Sequence, residues 1–158
     1  MVRHKKIKDV AELIDFFIDR HNRIRDRKNF PHKKVEFLVR MLFNSKYLGK
    51  GWYKTTHLVY SAKKYLAFKF GNKEAIKRDR RLYNKLPKTI RNKHFAKIYW
   101  FTKYCMLQKY GIKTKINKIG LLKMKRIGNK YGLRDIKPDN IIEESGNLKI
   151  VDATLKGF

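Results

Sequence analysis

The feature that most constrains this chain is a polar run near its carboxyl end. Residues 134–140 are Arg-Asp-Ile-Lys-Pro-Asp-Asn, and Asp152 follows twelve residues after Asn140. Two short apolar runs lie between them, 141–142 and 148–151, joined by Glu-Glu-Ser-Gly-Asn, a pattern that predicts a short β-hairpin. Carboxylates placed here are candidates for a site holding a divalent cation, which needs hard oxygen ligands. A turn-rich acidic end would show the same composition, so the pattern alone leaves both interpretations open.

Charge in the rest of the chain is strongly positive. The 158 residues carry 41 Lys and Arg against 13 Asp and Glu, a formal net charge of +28. Residues 48–131 hold 24 basic and two acidic side chains, whereas residues 132–158 hold four and five. Such a field attracts nucleic acid, anionic lipid or an acidic protein partner without distinguishing among them. The length and the 42% hydrophobic content favour a single folded domain over a disordered chain.

Cysteine, histidine and hydropathy argue against several protein classes. Cys105 is the single cysteine, so no internal disulfide can form, and its apolar neighbours favour burial. The five histidines lack metal-ligand spacing, which argues against a zinc site. No apolar run approaches the roughly 18 residues of a membrane span, and the basic start lacks the apolar stretch of a secretory signal. We therefore expect an intracellular, cytoplasmic protein with no membrane partner.

Two helices are predicted at the amino end. Apolar residues recur at helical spacing over 8–26 and over about 33–44, and Asn29 to Pro31 break the pattern between them. Each predicted helix has one apolar stripe. We expect these stripes to be buried against each other or against the domain that follows.

Strands and helices alternate beyond Tyr47. Two strand-like runs, 56–60 and 65–70, flank the polar turn 61–64, as expected for a hairpin. The remaining predicted elements, in chain order, are a helix over 73–86 that ends before Pro87, strand-like runs over 95–101 and 104–107, and a helix over 116–127. The complete order is helix, helix, three strands, helix, two strands, helix, loop and two strands.

A glycine pair and a lysine complete the candidate site. Gly49 and Gly51 lie between two presumed strands, where the lack of a Cβ lets backbone N–H groups approach phosphate oxygens. An ordinary turn would explain the same glycines. Lys69 ends a strand-like run twenty residues after Gly49, on a strand expected to be buried.

The order of these features resembles the protein-kinase signature. That signature comprises a glycine-rich loop, a lysine on the third strand, an acidic residue on the next helix, a catalytic loop and a metal-binding aspartate. The resemblance covers about residues 47–158 and is most specific in the pattern Asp-x-Lys-Pro-x-Asn followed by a hairpin and Asp152. It implies an α+β fold in which a five-stranded antiparallel sheet and helix C form the amino-terminal lobe. A much reduced carboxyl-terminal lobe and two extra amino-terminal helices are also expected.

The same resemblance implies a domain organisation. Residues 1–46 would form a helical extension and residues 47–158 a minimal kinase-like domain. Within that domain the amino-terminal lobe would cover 47–108, the hinge 109–111 and the reduced carboxyl-terminal lobe 112–158.

Roles in the catalytic loop follow from the resemblance. Asp135 would be the catalytic base, and Lys137 would neutralise charge on the transferred phosphoryl group. Asn140 and Asp152 would hold Mg²⁺. The cofactors implied are therefore ATP and Mg²⁺. Asp152 could instead cap a turn, and Asp135 with Asn140 could simply close a loop through hydrogen bonds to the backbone.

The nucleotide would contact the amino-terminal half. Gly49 and Gly51 would cover the phosphates, and Lys69 would pair with the α- and β-phosphates. Gln108 would be the gatekeeper, and the backbone of Lys109 and Gly111 would hold the adenine edge. The partner of Lys69 on helix C would be Asp79, with Glu74 as the other candidate. The alternative explanation is that Lys69 is one of the many lysines of this chain and has no functional role.

The chain also departs from the family pattern. Lys54 stands where the third loop glycine is expected, and Leu133 replaces the histidine of the catalytic loop. Asp-Phe-Gly is replaced by Asp152-Ala-Thr, and the sequence stops six residues after Asp152. We therefore expect nucleotide binding more firmly than catalysis, with no conventional peptide-docking surface.

Three functional hypotheses remain. The first is a minimal ATP- and Mg²⁺-dependent kinase of the Ser/Thr type that acts on an acidic protein. The second is an inactive kinase-like module that binds a nucleotide or partner as a decoy, inhibitor or scaffold. The third is a nucleic-acid-binding protein whose aromatic residues stack on bases; the candidates are Trp52, Tyr53, Tyr99 and Trp100. The lysine-rich composition also suggests a viral or phage origin, and hence the host cytoplasm.

Overall fold

The computed structural model describes residues 2–24, 30–51 and 53–155. Trp52 and the last two residues of the first predicted helix lie outside these ranges. The chain divides into two compact units, the first comprising Met1–Lys77 and Ile98–Tyr110 and the second Arg78–Lys97 and Gly111–Phe158. Over the described ranges, no helix is long and apolar enough to cross a bilayer.

The first unit is built on a five-stranded antiparallel sheet. Its helices are α1 (Val2–Ile24), α2 (His32–Phe43) and the first turn of α3 (Lys73–Lys85). Its strands are β1 (Lys46–Lys50), β2 (Lys54–Ser61), β3 (Lys64–Gly71), β4 (Ile98–Phe101) and β5 (Cys105–Lys109), in the order β1-β2-β3-β5-β4. This sheet, with a helix between its third and fourth strands, confirms the predicted α+β fold with a five-stranded antiparallel sheet.

Local sequence explains the hairpin in this sheet. Ala62 and Lys63 connect β2 to β3 and have left-handed φ angles of 53° and 62°. Two such residues form the tight turn whose twist matches that of the flanking strands. The predicted turn at 61–64 is thereby confirmed.

The core of the first unit lies between its two long helices and the sheet. Ile14 and Ile18 of α1 and Val39 of α2 meet Phe68 and Phe70 of β3 in one buried cluster. Cys105 belongs to the same cluster, and its complete burial raises the pKa of the thiol well above the usual value. The cysteine is therefore a buried apolar residue, as its neighbours predict.

One carboxylate connects α1 to the turn between β4 and β5. The Asp15 carboxylate accepts hydrogen bonds from the Lys103 N–H (2.7 Å), the Tyr104 N–H (3.0 Å) and the Thr102 hydroxyl (3.1 Å). Burial nevertheless raises the pKa of Asp15, because desolvation outweighs these three bonds. Nothing in the sequence pattern predicts this contact, since the partners are more than 80 residues apart.

The second unit combines short strands with helices. It holds the rest of α3, the helices α4 (Lys88–His94) and α5 (Lys118–Lys130), and a 3₁₀ turn at Pro138–Asn140. Its strands are β6 (Ile112–Lys113), β7 (Leu133–Arg134), β8 (Ile141–Glu144), β9 (Asn147–Ile150) and β10 (Thr154–Leu155). β8 and β9 form the predicted hairpin, β6 pairs with β8, and β7 pairs with β10.

Helix α4 is an element that the sequence pattern does not predict. It has seven residues, of which Ile90 is the only large apolar one, so it shows no amphipathic stripe. The predicted strand over 95–101 begins only at Ile98, because Phe95 instead forms an isolated bridge with Ile150. The Ala96 N–H also donates to the Ile150 carbonyl (3.0 Å). The segment after α4 therefore runs beside β9.

A buried lysine holds α4 in place. Lys149 of β9 is 8% exposed, and its Nζ donates to the carbonyls of Asn92 (2.5 Å) and Lys93 (3.1 Å). Carbonyls at the end of a helix lack partners within the helix and attract cations. The ammonium therefore satisfies carbonyls at the end of α4 while joining that helix to β9.

Replacing Asp15 should destabilise the first unit. We expect Asp15→Ala to lower the free energy of unfolding by about 1–3 kcal/mol, because two backbone N–H groups lose their acceptor. Urea unfolding followed by tryptophan fluorescence measures the change. The matched control is Asp9→Ala on the exposed side of α1, which should change it by no more than about 0.5 kcal/mol. Equal effects of both substitutions would contradict this role for Asp15.

Candidate functional site

The loop after β1 is a tight turn that docks on the end of β3. The Gly51 N–H donates to the Lys54 carbonyl (2.8 Å), and the Asn72 N–H donates to the Tyr53 carbonyl (3.3 Å). A Cβ at Gly71 would collide with that same Tyr53 carbonyl. Gly71 is thus needed for the loop to lie on β3, a requirement that the sequence pattern alone does not reveal.

The two predicted phosphate-loop glycines are not required by packing within the chain. Gly49 lies inside β1, beside an irregularity in its pairing with β2, and Gly51 directly follows the strand. An added Cβ would meet nothing within 4 Å at Gly49 and only the Lys54 carbonyl, at 3.8 Å, at Gly51. Neither has a left-handed φ. Their lack of side chains therefore leaves open space above the backbone.

Register places three of the predicted nucleotide-binding residues, Gly49, Lys69 and Gln108, on one face of the sheet. Residues directly opposite in an antiparallel pair share a face, and neighbours along a strand alternate. Lys69 is opposite Thr56 and Met106, and Gln108 is opposite Ala67, two residues before Lys69. Phe68 and Phe70 point the other way, into the helix-packed core. Lys69, Gln108 and Gly49, which is opposite Thr56, therefore share the face away from that core.

Lys69 and Gln108 are both buried on this face. Lys69 is 6% exposed and Gln108 is 3% exposed. An ammonium on a buried strand costs free energy to desolvate, which distinguishes Lys69 from the many solvated lysines of this chain. Lys69 is therefore not a surface lysine, and its pairing with phosphate stays a prediction.

The two hinge residues are in different environments. Lys109 is the last residue of β5 and is opposite Leu66 of β3. A Cβ at Gly111 would lie 2.7 Å from the Glu143 carbonyl oxygen of β8 and would also clash with Ile142. Packing of β8 alone therefore requires glycine at 111, and an adenine contact there stays a prediction.

The two candidate acids of α3 differ in exposure. Glu74 lies in the first turn and is exposed, whereas Asp79 is half-buried. Asp79 is three positions after the buried Ile76 and three before the buried Leu82. Asp79 therefore lies beside buried positions of the helix, whereas Glu74 lies in its exposed first turn. An ion pair between either acid and Lys69 stays a prediction.

The predicted catalytic loop is a hydrogen-bonded unit. Asp135 follows β7 with a left-handed φ of 63°. The Asn140 amide Nδ2 donates to the Asp135 carbonyl (2.9 Å) and to Asp135 Oδ2 (3.3 Å), and Lys137 Nζ lies 3.2 Å from Asp135 Oδ1. The Asn140 N–H donates to the Lys137 carbonyl (2.9 Å). Three residues that the sequence assigns to one site are therefore in direct contact, and the Asp135 carboxylate is about half exposed.

Ile136 anchors this loop in the core of the second unit. It is 7% exposed and packs in the same cluster as Leu133 and Ala153. A Cβ at Gly128 of α5 would lie 2.8 Å from Ile136 Cγ1. The glycine therefore makes room for the isoleucine, and the flanking polar residues point away from the core. Asp135 and Lys137 owe their position to this apolar contact.

Two independent contacts bring Asp152 to the same loop. The Val151 N–H donates to the Asn140 carbonyl (2.9 Å), which joins the residue before Asp152 to the end of the loop. The ladder between β7 and β10 sets Thr154 opposite Arg134. Arg134 directly precedes Asp135, and Thr154 lies two residues after Asp152, so this ladder also brings the two segments together. The prediction that the two polar segments meet is thus supported by geometry.

The donor set suits a magnesium ion held jointly with a phosphate. Both donations from Asn140 Nδ2 go to Asp135, and no described residue donates to Asn140 Oδ1. An amide oxygen and the carboxylate of Asp152 are hard ligands of the kind Mg²⁺ prefers, the remaining positions being filled by phosphate oxygens and water. The part of the chain that the structure describes contains no group of three or more His, Cys, Asp or Glu able to hold a metal ion.

The aromatic residues proposed for base stacking have other roles where they are described. Tyr99 and Trp100 pack against the core of the first unit, and the Trp100 ring lies edge-on to Phe68 with centroids 6.2 Å apart. Of the described residues in that set, only Tyr53 is exposed, at 53%. Stacking by Tyr99 and Trp100 is therefore corrected to core packing.

Comparison with known proteins finds structural likeness only. No protein-family model and no curated protein matches the chain. The crystal structure of the PF14_0431 kinase domain covers 72% of the chain at 19% identity, with a TM-score of 0.49. The PK-1 kinase of Cydia pomonella granulovirus covers 80% at 15% identity, with a TM-score of 0.48. The chain spans 51% and 61% of those two proteins, and likeness at such identities concerns the fold alone.

Two substitutions at Asp135 should separate the effect of backbone strain on stability from the effect of losing the carboxylate. A left-handed φ is tolerated by Asp and Asn but costs about 1 kcal/mol for Ala. We therefore expect Asp135→Ala to be less stable than Asp135→Asn by about that amount in thermal or urea unfolding. Equal stability of the two variants would contradict the left-handed conformation. Asp135→Asn is consequently the better variant for testing chemistry.

Proposed function

We propose that this chain is a kinase-like phosphotransferase that binds ATP with Mg²⁺ and transfers a phosphoryl group to Ser or Thr of a protein. The observation that carries the proposal is the set of contacts joining Asp135, Lys137, Asn140 and the segment before Asp152. The sequence order of these residues resembles that of the kinase signature. The buried Lys69, on the sheet face shared by Gly49 and Gln108, supports the nucleotide half of the proposal.

In this proposal each side chain has a separate task. The Asp135 carboxylate accepts the proton of the acceptor hydroxyl, while Asn140 Nδ2 and Lys137 Nζ hold its two oxygens in place. Lys137, 54% exposed, also places positive charge where the phosphoryl group would lie. Asn140 Oδ1 and Asp152 would hold Mg²⁺, which when bound would neutralise charge on the phosphates. In the first unit, Lys69 would bind phosphate oxygens, with the open space above Gly49 and Gly51 admitting them.

Ser/Thr specificity rests on one feature. Lys137 stands two residues after Asp135, a spacing that resembles Ser/Thr-type rather than Tyr-type catalytic loops. An acidic acceptor protein would complement the net charge of +28.

Nucleotide binding is tested by ligand-induced stabilisation. ATP with Mg²⁺ should raise the unfolding temperature, and ATP at a hundredfold excess over Kd should contribute about 2.7 kcal/mol. Asp152→Asn should remove the Mg²⁺-dependent part of this gain. Asp139→Asn, an exposed acid in the same loop with no role in the proposed site, is the matched control and should retain the gain. An equal loss in both variants, or no stabilisation of the wild type, would contradict the proposal.

Transfer is measured separately with radiolabelled ATP and an acidic Ser/Thr protein such as casein. Asp135→Asn should reduce phosphate incorporation by about a hundredfold or more while leaving Mg²⁺-dependent stabilisation by ATP in place. Stabilisation of the wild type without any transfer would instead favour the inactive nucleotide-binding module.

A second candidate function, nucleic-acid binding, is favoured by the surface of α5. This helix contains five cations and no acidic residue, and all five cations are exposed; they are Lys118, Lys123, Lys125, Arg126 and Lys130. None of them has a carboxylate partner within the described ranges. Lys123 also acts with Lys93 and Lys149 to lower the pKa of His94, after the larger effect of burial. The positive surface thus extends from α5 to the end of α4.

Salt dependence tests this second function. Binding of a labelled 20-base-pair DNA duplex, followed by fluorescence anisotropy, should weaken steeply as salt rises. The double variant Lys123→Gln, Arg126→Gln should reduce the slope of log K against log salt by roughly 0.9 for each phosphate that is no longer neutralised. The matched control Lys63→Gln, Lys64→Gln changes two exposed lysines of the first unit and should leave the slope unchanged. Identical slopes for both double variants would contradict a specific role for α5.

A further inference from the structure

The two amino-terminal helices expose large apolar residues as well as burying them. Five such residues on α1 and α2 are between 53% and 67% exposed; they are Leu13, Phe16, Phe37, Met41 and Leu42. Single exposed apolar residues are ordinary, but a contiguous group on a soluble protein marks a surface that another molecule covers. We call these five residues the helical patch.

Helical spacing gathers four of the five residues on the outward faces of the two helices. Leu13 and Phe16 are three positions apart on α1, and Phe37 and Met41 are four apart on α2. Leu42, three positions after the buried Val39, lies at the edge of the patch. The opposite faces of the same helices bury Ile14, Ile18 and Val39 in the core of the first unit. α1 and α2 lie side by side, with Cα atoms within 8 Å. Two adjacent helices with apolar outer faces form the kind of surface into which a third helix can pack.

The charges around the patch indicate the kind of partner. Lys34 lies three positions before Phe37, and Arg20 lies four positions after Phe16, so each cation shares a face with a patch residue. Neither has an ion-pair partner in the described part of the chain. Arg40, by contrast, pairs with Glu36 (2.7 Å). Cations without intramolecular partners beside an apolar surface complement acidic groups that flank apolar ones.

Two other occupants fit the same surface less well. A second copy of the chain would bring two molecules of net charge +28 together, and like charges oppose that association. An anionic membrane would place its headgroups over the exposed Asp9, four positions before Leu13, and the patch has no Trp or Tyr of the kind that anchors membrane interfaces. A partner helix, unlike a membrane surface, can carry an uncharged residue at the position that faces Asp9.

From these observations we propose that the helical patch binds an amphipathic helix of a partner protein, with an apolar stripe of Leu, Ile or Phe and a flanking acidic face. Phe16 and Phe37 are the central apolar contacts, and Met41 adapts to the shape of the partner side chains. Arg20 and Lys34 bind the acidic face. The surface lies on the amino-terminal helices and involves none of the residues assigned to phosphoryl transfer.

The test uses two designed fluorescein-labelled helical peptides of 18 residues. Both carry Leu at helical spacing along one stripe, one with Glu and the other with Lys at the flanking positions. In fluorescence anisotropy with the full chain, the Glu peptide should bind at least about tenfold more tightly than the Lys peptide. The double variant Phe16→Glu, Phe37→Glu should weaken binding of the Glu peptide by about tenfold or more.

Ile119→Glu provides the matched control. Ile119 is 79% exposed on α5 in the second unit, so the same chemical change is made outside the patch, and binding of the Glu peptide should be retained. Circular dichroism and unfolding curves check that each variant folds; if the double variant does not, Arg20→Gln with Lys34→Gln replaces it and should reduce the preference for the Glu peptide.

Four results would overturn the proposal. The first is failure of the Glu peptide to bind, and the second is equal weakening by the patch variant and Ile119→Glu. The third is patch-dependent sedimentation with phosphatidylserine vesicles in the absence of peptide binding, which would assign the surface to a membrane. The fourth is a concentration-dependent dimer in analytical ultracentrifugation that the patch variant dissociates, which would assign it to a second copy.

Discussion

The hydrogen bond from the Val151 N–H to the Asn140 carbonyl is the link on which the candidate site depends. It joins two polar segments that the β8–β9 hairpin separates along the chain. The pairing of β7 with β10 joins the same two segments a second time, because β7 ends just before Asp135 and β10 begins just after Asp152. With both in place, Asp152 lies beside the loop in which Asn140 already holds Asp135. The two segments that carry the proposed catalytic and metal-binding carboxylates are thereby joined through their backbones.

Apolar packing supplies the rigidity that these polar contacts need. Exposed ion pairs such as Lys137 with Asp135 stabilise a loop only weakly. Ile136 provides the anchor instead, and Gly128 gives it space within the core of the second unit. Lys149 fixes the strand that precedes Asp152 by bonding the last carbonyls of α4. The site therefore stands on buried contacts that contribute no chemistry themselves.

In the first unit, too, apolar residues pack the core while the candidate polar residues lie elsewhere. Alternation along β3 sends Phe68 and Phe70 toward the helices and Lys69 to the other face. Asp15 secures α1 to the sheet, so the two long helices form an integral part of the core and present a second surface outward. One set of helices thus both supports the sheet and carries the proposed partner surface.

Much of the fold follows from local patterns. Helices α1, α2, α3 and α5 and the β2–β3 and β8–β9 hairpins are predictable, because apolar periodicity and turn residues act over a few positions. Helix α4 is not, because its single large apolar residue leaves no stripe and its stability comes from Lys149, more than 50 residues away. The individual bounds of strands also shift by two or three residues where a bridge replaces a ladder, as at Phe95.

The sequence by itself determined the residue types and their order: Asp135, Lys137, Asn140 and Asp152 in one segment, and Lys69 on a strand between large apolar residues. Only the tertiary structure decided which of them are in contact. Hydrogen bonds and strand register between distant segments produce no periodic pattern in the sequence. The tertiary structure also decided that Asp79 is half-buried and Glu74 exposed, and that the five residues of the helical patch are exposed. Burial depends on which elements come together, and that is a property of the whole fold rather than of any local stretch of chain.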